Sequence, residues 1–215
     1  IPAGSEPVAA QFAAVPELVK AVATLSPSDL GGAKVLPGDT DPDQGDSARA
    51  RGRLLHMLLE RLPGSAGDLA AMGRDMLSAD EDHLLIGDAD TLLGDALRMI
   101  QDAPISALLG EGSLAEVGVT GTMPDGRRIS GQIDRLVIAP DHIVVIDYKS
   151  NRAVPQSAAQ VPEGILRQMG AYVHALGQIY PGREIRAAVL WTANGQLMPL
   201  PHALIMAALH RACPP

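Results

Sequence analysis

The hydrophobic pattern of this 215-residue chain changes its period near residue 114. Apolar residues first recur every three to four positions, as in amphipathic helices, and from Leu114 onward Val and Ile concentrate in short runs. The three runs cover residues 114–123, 128–139 and 142–150. Pro124-Asp125-Gly126 and Pro140-Asp141 separate them in the manner of hairpin turns. The pattern therefore predicts three consecutive antiparallel strands.

Helical spacing predicts helices on both sides of these strands. Before the strands, the predicted helices cover residues 47–62, 66–78 and 89–102, with a short helical turn at 104–109. After them we expect a helix at 163–179, strands at 184–192 and 196–200, and a closing helix at 201–212. The expected fold is a mixed α/β domain with an N-terminal helical preface.

The first 46 residues differ in composition from the rest, being rich in Ala, Pro, Gly and Asp. Residues 37–47 read as a loop or linker, and residues 16–25 have the pattern of a short helix. We therefore expect residues 1–46 to form a separate N-terminal segment and residues 47–215 to form the main domain. A start at Ile1 rather than Met suggests a fragment of a longer protein or a processed chain.

Charge and aromatic content restrict the ways in which this chain can bind nucleic acid. The formal net charge is −8, whereas a free-standing nucleic-acid binder usually has a basic surplus. Aromatic residues make up 2% of the chain, too few for a broad platform on which single-stranded bases would stack. If the domain acts on DNA, we expect another component to deliver that DNA.

The cysteine content and the hydropathy of the chain exclude further classes of protein. Cys213 is the single cysteine, so neither an internal disulfide nor a cysteine-ligated iron–sulfur cluster can form. Its ordinary interpretation is a reduced thiol in a cytoplasmic protein. No apolar run reaches the roughly 18 residues of a membrane helix, so we expect no membrane association.

Two of the predicted strands carry acidic residues in an otherwise apolar setting. Asp147 follows Val144, Val145 and Ile146, and side chains two apart on a strand share a face, so Asp147 and Lys149 project together. Asp134 lies on the preceding strand, close enough through the tight turn to approach Asp147. Two carboxylates and an ammonium suit divalent-cation binding and phosphodiester hydrolysis. The structural alternative, in which both Asp residues end strands and the Lys is solvated, is less favourable because ionised residues rarely occupy central strands without partners.

Four further residues are candidates on weaker grounds. His56 lies off the leucine stripe of its predicted helix, four residues after Gly52, whose lack of a side chain suggests a close backbone approach. Glu116 begins a strand and by alternation shares a face with Leu114 and Gly118. The remaining two candidates, spaced i and i+4 on one helix face, are Gln168 and Tyr172. Each has an ordinary alternative as a solvated or half-buried side chain.

In combination these motifs resemble the RecB-like branch of the PD-(D/E)XK nucleases. That branch has a Gly-x-x-x-His helix, an acidic strand, a Gly-x-(Ile/Val)-Asp strand, an Asp-Tyr-Lys strand and a Gln-x-x-x-Tyr helix, in this order. The corresponding residues here are Gly52 to His56, Glu116, Gly131 to Asp134, Asp147 to Lys149, and Gln168 to Tyr172. Five short motifs in order are more specific than any one. The resemblance implies a restriction-endonuclease-like sheet flanked by helices.

The resemblance also implies a role for each residue. His56, Asp134 and Asp147 would ligate Mg²⁺ together with the backbone carbonyl of Tyr148, and Mn²⁺ would be tolerated. Glu116 would join this cluster directly or through water. The catalytic residues would be Asp134, Asp147 and Lys149, and the residues that support the site or contact DNA would be Gln168 and Tyr172.

Within that branch, the sequence most resembles the nuclease domains of AddA-type helicase–nuclease subunits. The similar stretches are Gly131 to Leu136, Asp147 to Arg152, Ile179 to Arg183 and Leu190 to Thr192. This resemblance implies an Mg²⁺-dependent exonuclease that cuts single-stranded DNA during double-strand-break repair and recombination. The helicase region would lie on the same polypeptide and an AddB-like subunit would be its partner. Two alternatives remain, namely a non-catalytic DNA-binding or assembly domain and a stand-alone repair or restriction endonuclease.

Overall fold

A computed structural model of the chain describes residues 24–36, 45–110 and 112–214. Most of the predicted helix at 16–25 therefore lies outside the described residues. Its last residue, Leu25, is not helical and instead forms a parallel β-bridge with Ile129. Most of the predicted loop at 37–47 also lies outside the described residues, and residues 45–47 belong to a helix rather than to a loop.

The described residues form six α-helices and five β-strands. The helices before the sheet are α1 (Gly45–Arg61), α2 (Leu69–Ser78), α3 (Ala89–Gln101) and α4 (Ala103–Leu109). The first three strands are β1 (Ser113–Thr122), β2 (Arg128–Ile138) and β3 (His142–Lys149). They are followed by α5 (Glu163–Ile179), β4 (Glu184–Trp191), β5 (Gln196–Leu200) and α6 (His202–Ala212). Short 3-10 turns cover Pro27–Asp29, Glu81–Leu85 and Ala158–Gln160.

Aspartate caps set the start of two helices in the preface. Asp68 accepts hydrogen bonds from the backbone N–H groups of Ala70 and Ala71, so α2 begins at Leu69 rather than at the predicted residue 66. Asp88 accepts a hydrogen bond from the Thr91 backbone N–H in the same way and starts α3. Each cap satisfies N–H groups that a helix leaves without internal partners.

The strands form one mixed sheet in the order β1-β2-β3-β4-β5. The three predicted meander strands pair antiparallel, β3 and β4 pair parallel through the α5 crossover, and β5 returns antiparallel to β4. β3 is therefore the central strand, and most of its side chains are buried. The motif Asp147-Tyr148-Lys149 lies at the end of this strand.

Helices cover both faces of the sheet. On one face, Ile165 of α5 and Leu209 of α6 share a hydrophobic core with sheet residues such as Val145. On the other face, α1 to α4 pack over Ile146 and Tyr148 with a core of leucines from α1. The predicted helical preface is thus one layer of an α/β/α domain, which confirms the expected fold class. No helix in the described ranges is both long and apolar enough to cross a bilayer.

Candidate active site

Asp134 and Asp147 lie opposite each other on adjacent strands. The register of β2 and β3 pairs Arg135 with Ile146, so the next residues outward along the two strands are Asp134 and Asp147. The carboxylate of Asp134 accepts the backbone N–H of Tyr148 at 2.6 Å. The Asp147 residue is 2% exposed. The structure therefore brings together the two carboxylates that the sequence places on neighbouring strands.

Lys149 and Gln168 form a hydrogen-bonded unit with Asp147. The Nζ atom of Lys149 lies 2.6 Å from Asp147 Oδ2 and donates to Gln168 Oε1 at 3.2 Å. The Gln168 amide donates to Asp147 Oδ1 at 2.9 Å. A single amide on α5 therefore fixes both the carboxylate and the ammonium.

Gln168 and Tyr172 lie beneath the site and not on its open surface. Both residues are buried, with 8% and 3% of their surface exposed. The Tyr172 hydroxyl donates to the backbone carbonyl of Gln132 at 2.7 Å, which ties α5 to β2. Of the two roles that the resemblance implies for this pair, the geometry favours support of the site over contact with DNA.

His56 approaches the carboxylates from the other face of the sheet. Its Nδ1 atom lies 3.8 Å from Asp134 Oδ1, and its ring packs edge-on against the Tyr148 ring at 5.3 Å between centroids. Gly52, one turn earlier, permits this approach, because a Cβ atom there would lie 2.8 Å from the Ser150 hydroxyl. The close backbone approach expected at Gly52 is thus present, and it holds α1 against the end of β3.

Glu116 departs from the predicted alternation of β1. Ala115 pairs with Arg135 and Val117 pairs with Ile133, so Glu116 lies opposite Asp134. Its φ of 53° is in the left-handed region, which interrupts the alternation expected for this residue. The side chain lines a cleft of about 430 Å³ together with Glu60, His56 and Asp134. Glu60, one turn after His56, belongs to this cleft although the sequence motifs assign it no role.

Burial and like charge shift the pKa values of the acidic residues upward. Burial, and then the neighbouring Asp147 carboxylate, raise the pKa of Asp134 to about 8. Burial and Glu60 raise the pKa of Glu116. For His56, burial lowers the pKa, and Lys149 lowers it further against the opposing effects of Asp147 and a hydrogen bond to the Tyr148 backbone. A neutral imidazole beside crowded carboxylates is the protonation state that binds a cation.

The charges and ligand atoms of this cluster fit a divalent cation. Asp147 Oδ2 is buried and accepts no hydrogen bond of normal geometry, so the short ion pair with Lys149 is what compensates its charge. Burial first, and the Asp147 carboxylate second, raise the pKa of Asp134, so a cation bound beside it would stabilise its ionised form. In the present side-chain positions, no three His, Cys, Asp or Glu residues of the described ranges are grouped closely enough to hold a metal ion.

Arg135 is a structural neighbour of the site to which the sequence assigned no role. It is 4% exposed, donates to the Leu59 backbone carbonyl of α1 at 2.5 Å, and donates to the Tyr148 hydroxyl at 3.3 Å. It thereby links the helix of His56 to the strands of both aspartates. An arginine directly before the apolar run Leu136–Ile138 was the available signal, since charged residues in such strands need buried partners.

Comparison with known protein families matches the chain to a group of nucleases. The family model of the PD-(D/E)XK nuclease superfamily matches residues 30–198, which include both aspartates, Lys149 and the preface helices. The chain belongs to the PD-(D/E)XK nuclease superfamily. The mixed sheet between helical layers is accordingly its restriction-endonuclease-like fold, as the resemblance implied.

Two individual comparisons add detail. The chain is 26% identical over 183 residues to an ATP-dependent helicase/nuclease subunit of Desulforudis audaxviator (strain MP104C). That alignment includes 75% of this chain and 15% of the relative, so the chain spans a small part of that protein's length. The crystal structure of SSO0001 is similar over 74% of this chain and 83% of that chain, with a TM-score of 0.31 and 16% identity.

Proposed function

We propose that this PD-(D/E)XK domain is a metal-dependent deoxyribonuclease whose catalytic residues are Asp134, Asp147 and Lys149. The observation that carries the proposal is the convergence of two opposed carboxylates and an ammonium at the end of the central strand. Degenerate binding domains would be expected to lose one of these groups, and all three are present. This supports an enzyme over the alternative of a non-catalytic assembly domain.

The ligands proposed for the cation are His56, Asp134, Asp147 and the backbone carbonyl of Tyr148, with Glu116 acting directly or through water. Carboxylate oxygens and one imidazole suit Mg²⁺ and tolerate Mn²⁺. A divalent cation bound there would supply positive charge at the phosphate and lower the pKa of a bound water. With two carboxylates, one imidazole and one carbonyl, water molecules would complete the coordination.

Lys149 is placed to act on the reacting phosphate. Gln168 holds its ammonium against Asp147, so the side chain cannot swing freely into solvent. From that position the ammonium can orient the attacking water or stabilise the negative charge that develops on the phosphate oxygens. Gln168 and Tyr172 are proposed as positioning residues because they contact the catalytic groups and not the substrate.

The proposed substrate is single-stranded DNA delivered by a helicase motor during double-strand-break repair and recombination. Two observations support it, namely the net charge of −8 and the similarity to an ATP-dependent helicase/nuclease subunit. An acidic domain with few aromatic residues gains from a motor that supplies DNA. We propose that the helicase region lies on the same polypeptide, that an AddB-like subunit is the partner, and that the protein is cytoplasmic.

Cleavage of end-labelled single-stranded and duplex DNA in Mg²⁺, Mn²⁺ or EDTA tests this proposal. We expect slow cutting of single strands in either metal, less cutting of duplex, and none in EDTA. Cutting that persists in EDTA would contradict the metal dependence. A strong preference for a specific duplex sequence would instead favour the stand-alone restriction endonuclease.

A further inference from the structure

We infer that a second cleft, separate from the acidic one, binds a backbone phosphate of the DNA strand next to the phosphate that is cut. This inference rests on the proposed function and names the subsite that would hold the strand. The cleft has a volume of about 420 Å³. Its polar lining consists of Arg51, Arg152 and the hydroxyl residues Ser47, Ser150 and Thr192.

The lining chemistry suits a phosphate. Two guanidinium groups and three hydroxyl groups are all hydrogen-bond donors, and arginine binds phosphate oxygens in a bidentate manner. No Asp or Glu of the described ranges lines this cleft. The lining thus has two positively charged and no negatively charged side chains, in a chain whose net charge is −8.

Arg51 forms an ion pair that leaves other donors of its guanidinium group available. Its guanidinium lies 2.5 Å from Asp95 Oδ2, and Arg98 forms an ion pair with the same carboxylate. One carboxylate is therefore shared by two guanidinium groups, and Asp88 also lies close enough to interact with the charge of Arg51. The side chain of Arg51 is 42% exposed, so a ligand in the cleft can reach it.

The cleft adjoins the catalytic lysine through the backbone. Ser150 follows Lys149 directly, and Thr192 donates to the Lys149 carbonyl through both its N–H at 2.9 Å and its hydroxyl at 3.3 Å. The floor of the cleft is thus bonded to the strand that carries Lys149. Ser150 faces α1 whereas the Lys149 ammonium faces α5, so a phosphate bound there would lie at the end of β3, on the α1 side of the site.

The two clefts flank the contact between Gly52 and Ser150. On α1, Arg51 and Leu55 line the phosphate cleft, whereas His56 and Glu60 line the acidic cleft. The acidic cleft is lined by four acidic residues and two arginines, whereas the phosphate cleft is lined by two arginines and no acidic residue, so in the absence of a cation DNA is attracted more to the phosphate cleft. A strand that reaches the catalytic residues would therefore enter or leave along the phosphate cleft.

Binding of a fluorescent single-stranded DNA oligonucleotide to the 215-residue chain tests the inference. Fluorescence anisotropy in EDTA at several salt concentrations would compare the wild type with the Arg51→Gln/Arg152→Gln double variant. The matched control is Arg186→Gln, which removes a similarly exposed, ion-paired arginine from β4 outside this cleft. Since EDTA removes the metal, binding is measured independently of cleavage.

We expect the double variant to raise Kd and to reduce the slope of log K against log salt by about 0.7, the value for one phosphate of single-stranded DNA that is no longer neutralised. The control should match the wild type. An unchanged slope in the double variant, or no binding by the wild type at the lowest salt, would overturn the inference. If circular dichroism shows the double variant unfolded, Arg152→Gln alone decides, with an expected rise in Kd and a slope reduction of at most about 0.7.

Cleavage by the wild type in Mg²⁺ is measured in parallel to separate the two proposals. Cleavage together with an unchanged slope would reject the phosphate cleft and leave the nuclease proposal standing. A reduced slope without any cleavage by the wild type would reject the nuclease proposal and leave the cleft standing.

Discussion

Glu116 holds a backbone conformation that residues other than glycine rarely adopt, directly opposite Asp134. For an L-residue the left-handed region costs roughly 1–2 kcal/mol. Such strain persists only where the surrounding structure imposes it, and it often marks functional sites. The strand pairs on both sides of Glu116 hold it in place, next to the acidic cleft.

Replacement of Glu116 by glycine, compared with its replacement by glutamine, should therefore separate the effect of backbone strain on stability from the effect of the carboxylate charge. We expect Glu116→Gly to raise the free energy of unfolding by roughly 0.5–1 kcal/mol, since glycine adopts positive φ without a steric penalty. Glu116→Gln keeps the strain and removes the charge, so it serves as the control. Urea denaturation measures both variants. Equal stability of the two would show that the conformation is not strained.

The pKa of Asp134 predicts how stability without metal depends on pH. Because burial and Asp147 raise its folded pKa from 3.8 to about 8, the stability that protonated Asp134 provides is complete below 3.8 and is lost progressively up to about 8. Asp134→Asn stays neutral throughout and can still accept the Tyr148 N–H. We therefore expect its stability relative to the wild type to increase between about pH 5 and pH 8.

Denaturation in EDTA at the two pH values measures this difference. The direction of the pH dependence is informative. A carboxylate whose ionised form is stabilised by cations would make the stability of Asp134→Asn relative to the wild type decrease, not increase, as the pH rises. A difference that does not change with pH would contradict the raised pKa of Asp134.

At the scale of whole elements, the contact between α1 and the end of β3 determines where His56 lies. Gly52→Ala would place a Cβ atom 2.8 Å from the Ser150 hydroxyl, so α1 must move away. We expect Gly52→Ala to lower the stability and the nuclease activity, although alanine is the better helix former. Thermal unfolding and the cleavage rate measure these effects.

A matched glycine is available in α5. A Cβ atom at Gly177 would meet nothing within 4 Å, so Gly177→Ala should raise the stability by up to about 1 kcal/mol and leave activity unchanged. Removal of the opposing hydroxyl in a Gly52→Ala/Ser150→Ala double variant should restore part of the stability. Equal behaviour of Gly52→Ala and Gly177→Ala would disprove the importance of this contact.

Most elements could be predicted from the sequence because their signals are local. Leucine spacing in α1, the turn residues between the first three strands and the Val- and Ile-rich runs each depend on neighbours in the chain. The strained Glu116 and the contacts of Arg135 could not be predicted in this way. Both depend on which strands and helices meet in three dimensions, and no local pattern encodes the Arg135 bond to the Leu59 carbonyl.

The candidate site was predictable to a similar extent. The shared face of Asp147 and Lys149 follows from strand alternation, and the approach of Asp134 follows from the tight turn. The sequence left open whether Gln168 touches DNA or the catalytic lysine. The structure brings its amide to both Asp147 and Lys149, and this arrangement depends on how α5 packs over the sheet.

At the scale of the whole molecule, charge is divided between two clefts on either side of the catalytic strand. The acidic cleft contains Glu60 and Glu116 together with two arginines, and the phosphate cleft contains Arg51 and Arg152 without an acidic residue. This division is compatible with both a net charge of −8 and the proposed nucleic-acid substrate, because only a short path needs to be positive. It also accounts for the proposed need for a motor, since one small basic cleft holds DNA weakly.

The most direct test of the catalytic centre is the rate of metal-dependent cleavage of single-stranded DNA by two conservative variants. Asp147→Asn and Lys149→Met keep the size of each side chain and remove its charge, and Arg186→Gln is the control on the same sheet. Both variants should stay folded and cleave about 100-fold or more slowly, while the control keeps the wild-type rate. Cleavage by either variant at a rate near that of the wild type would contradict the proposed catalytic centre.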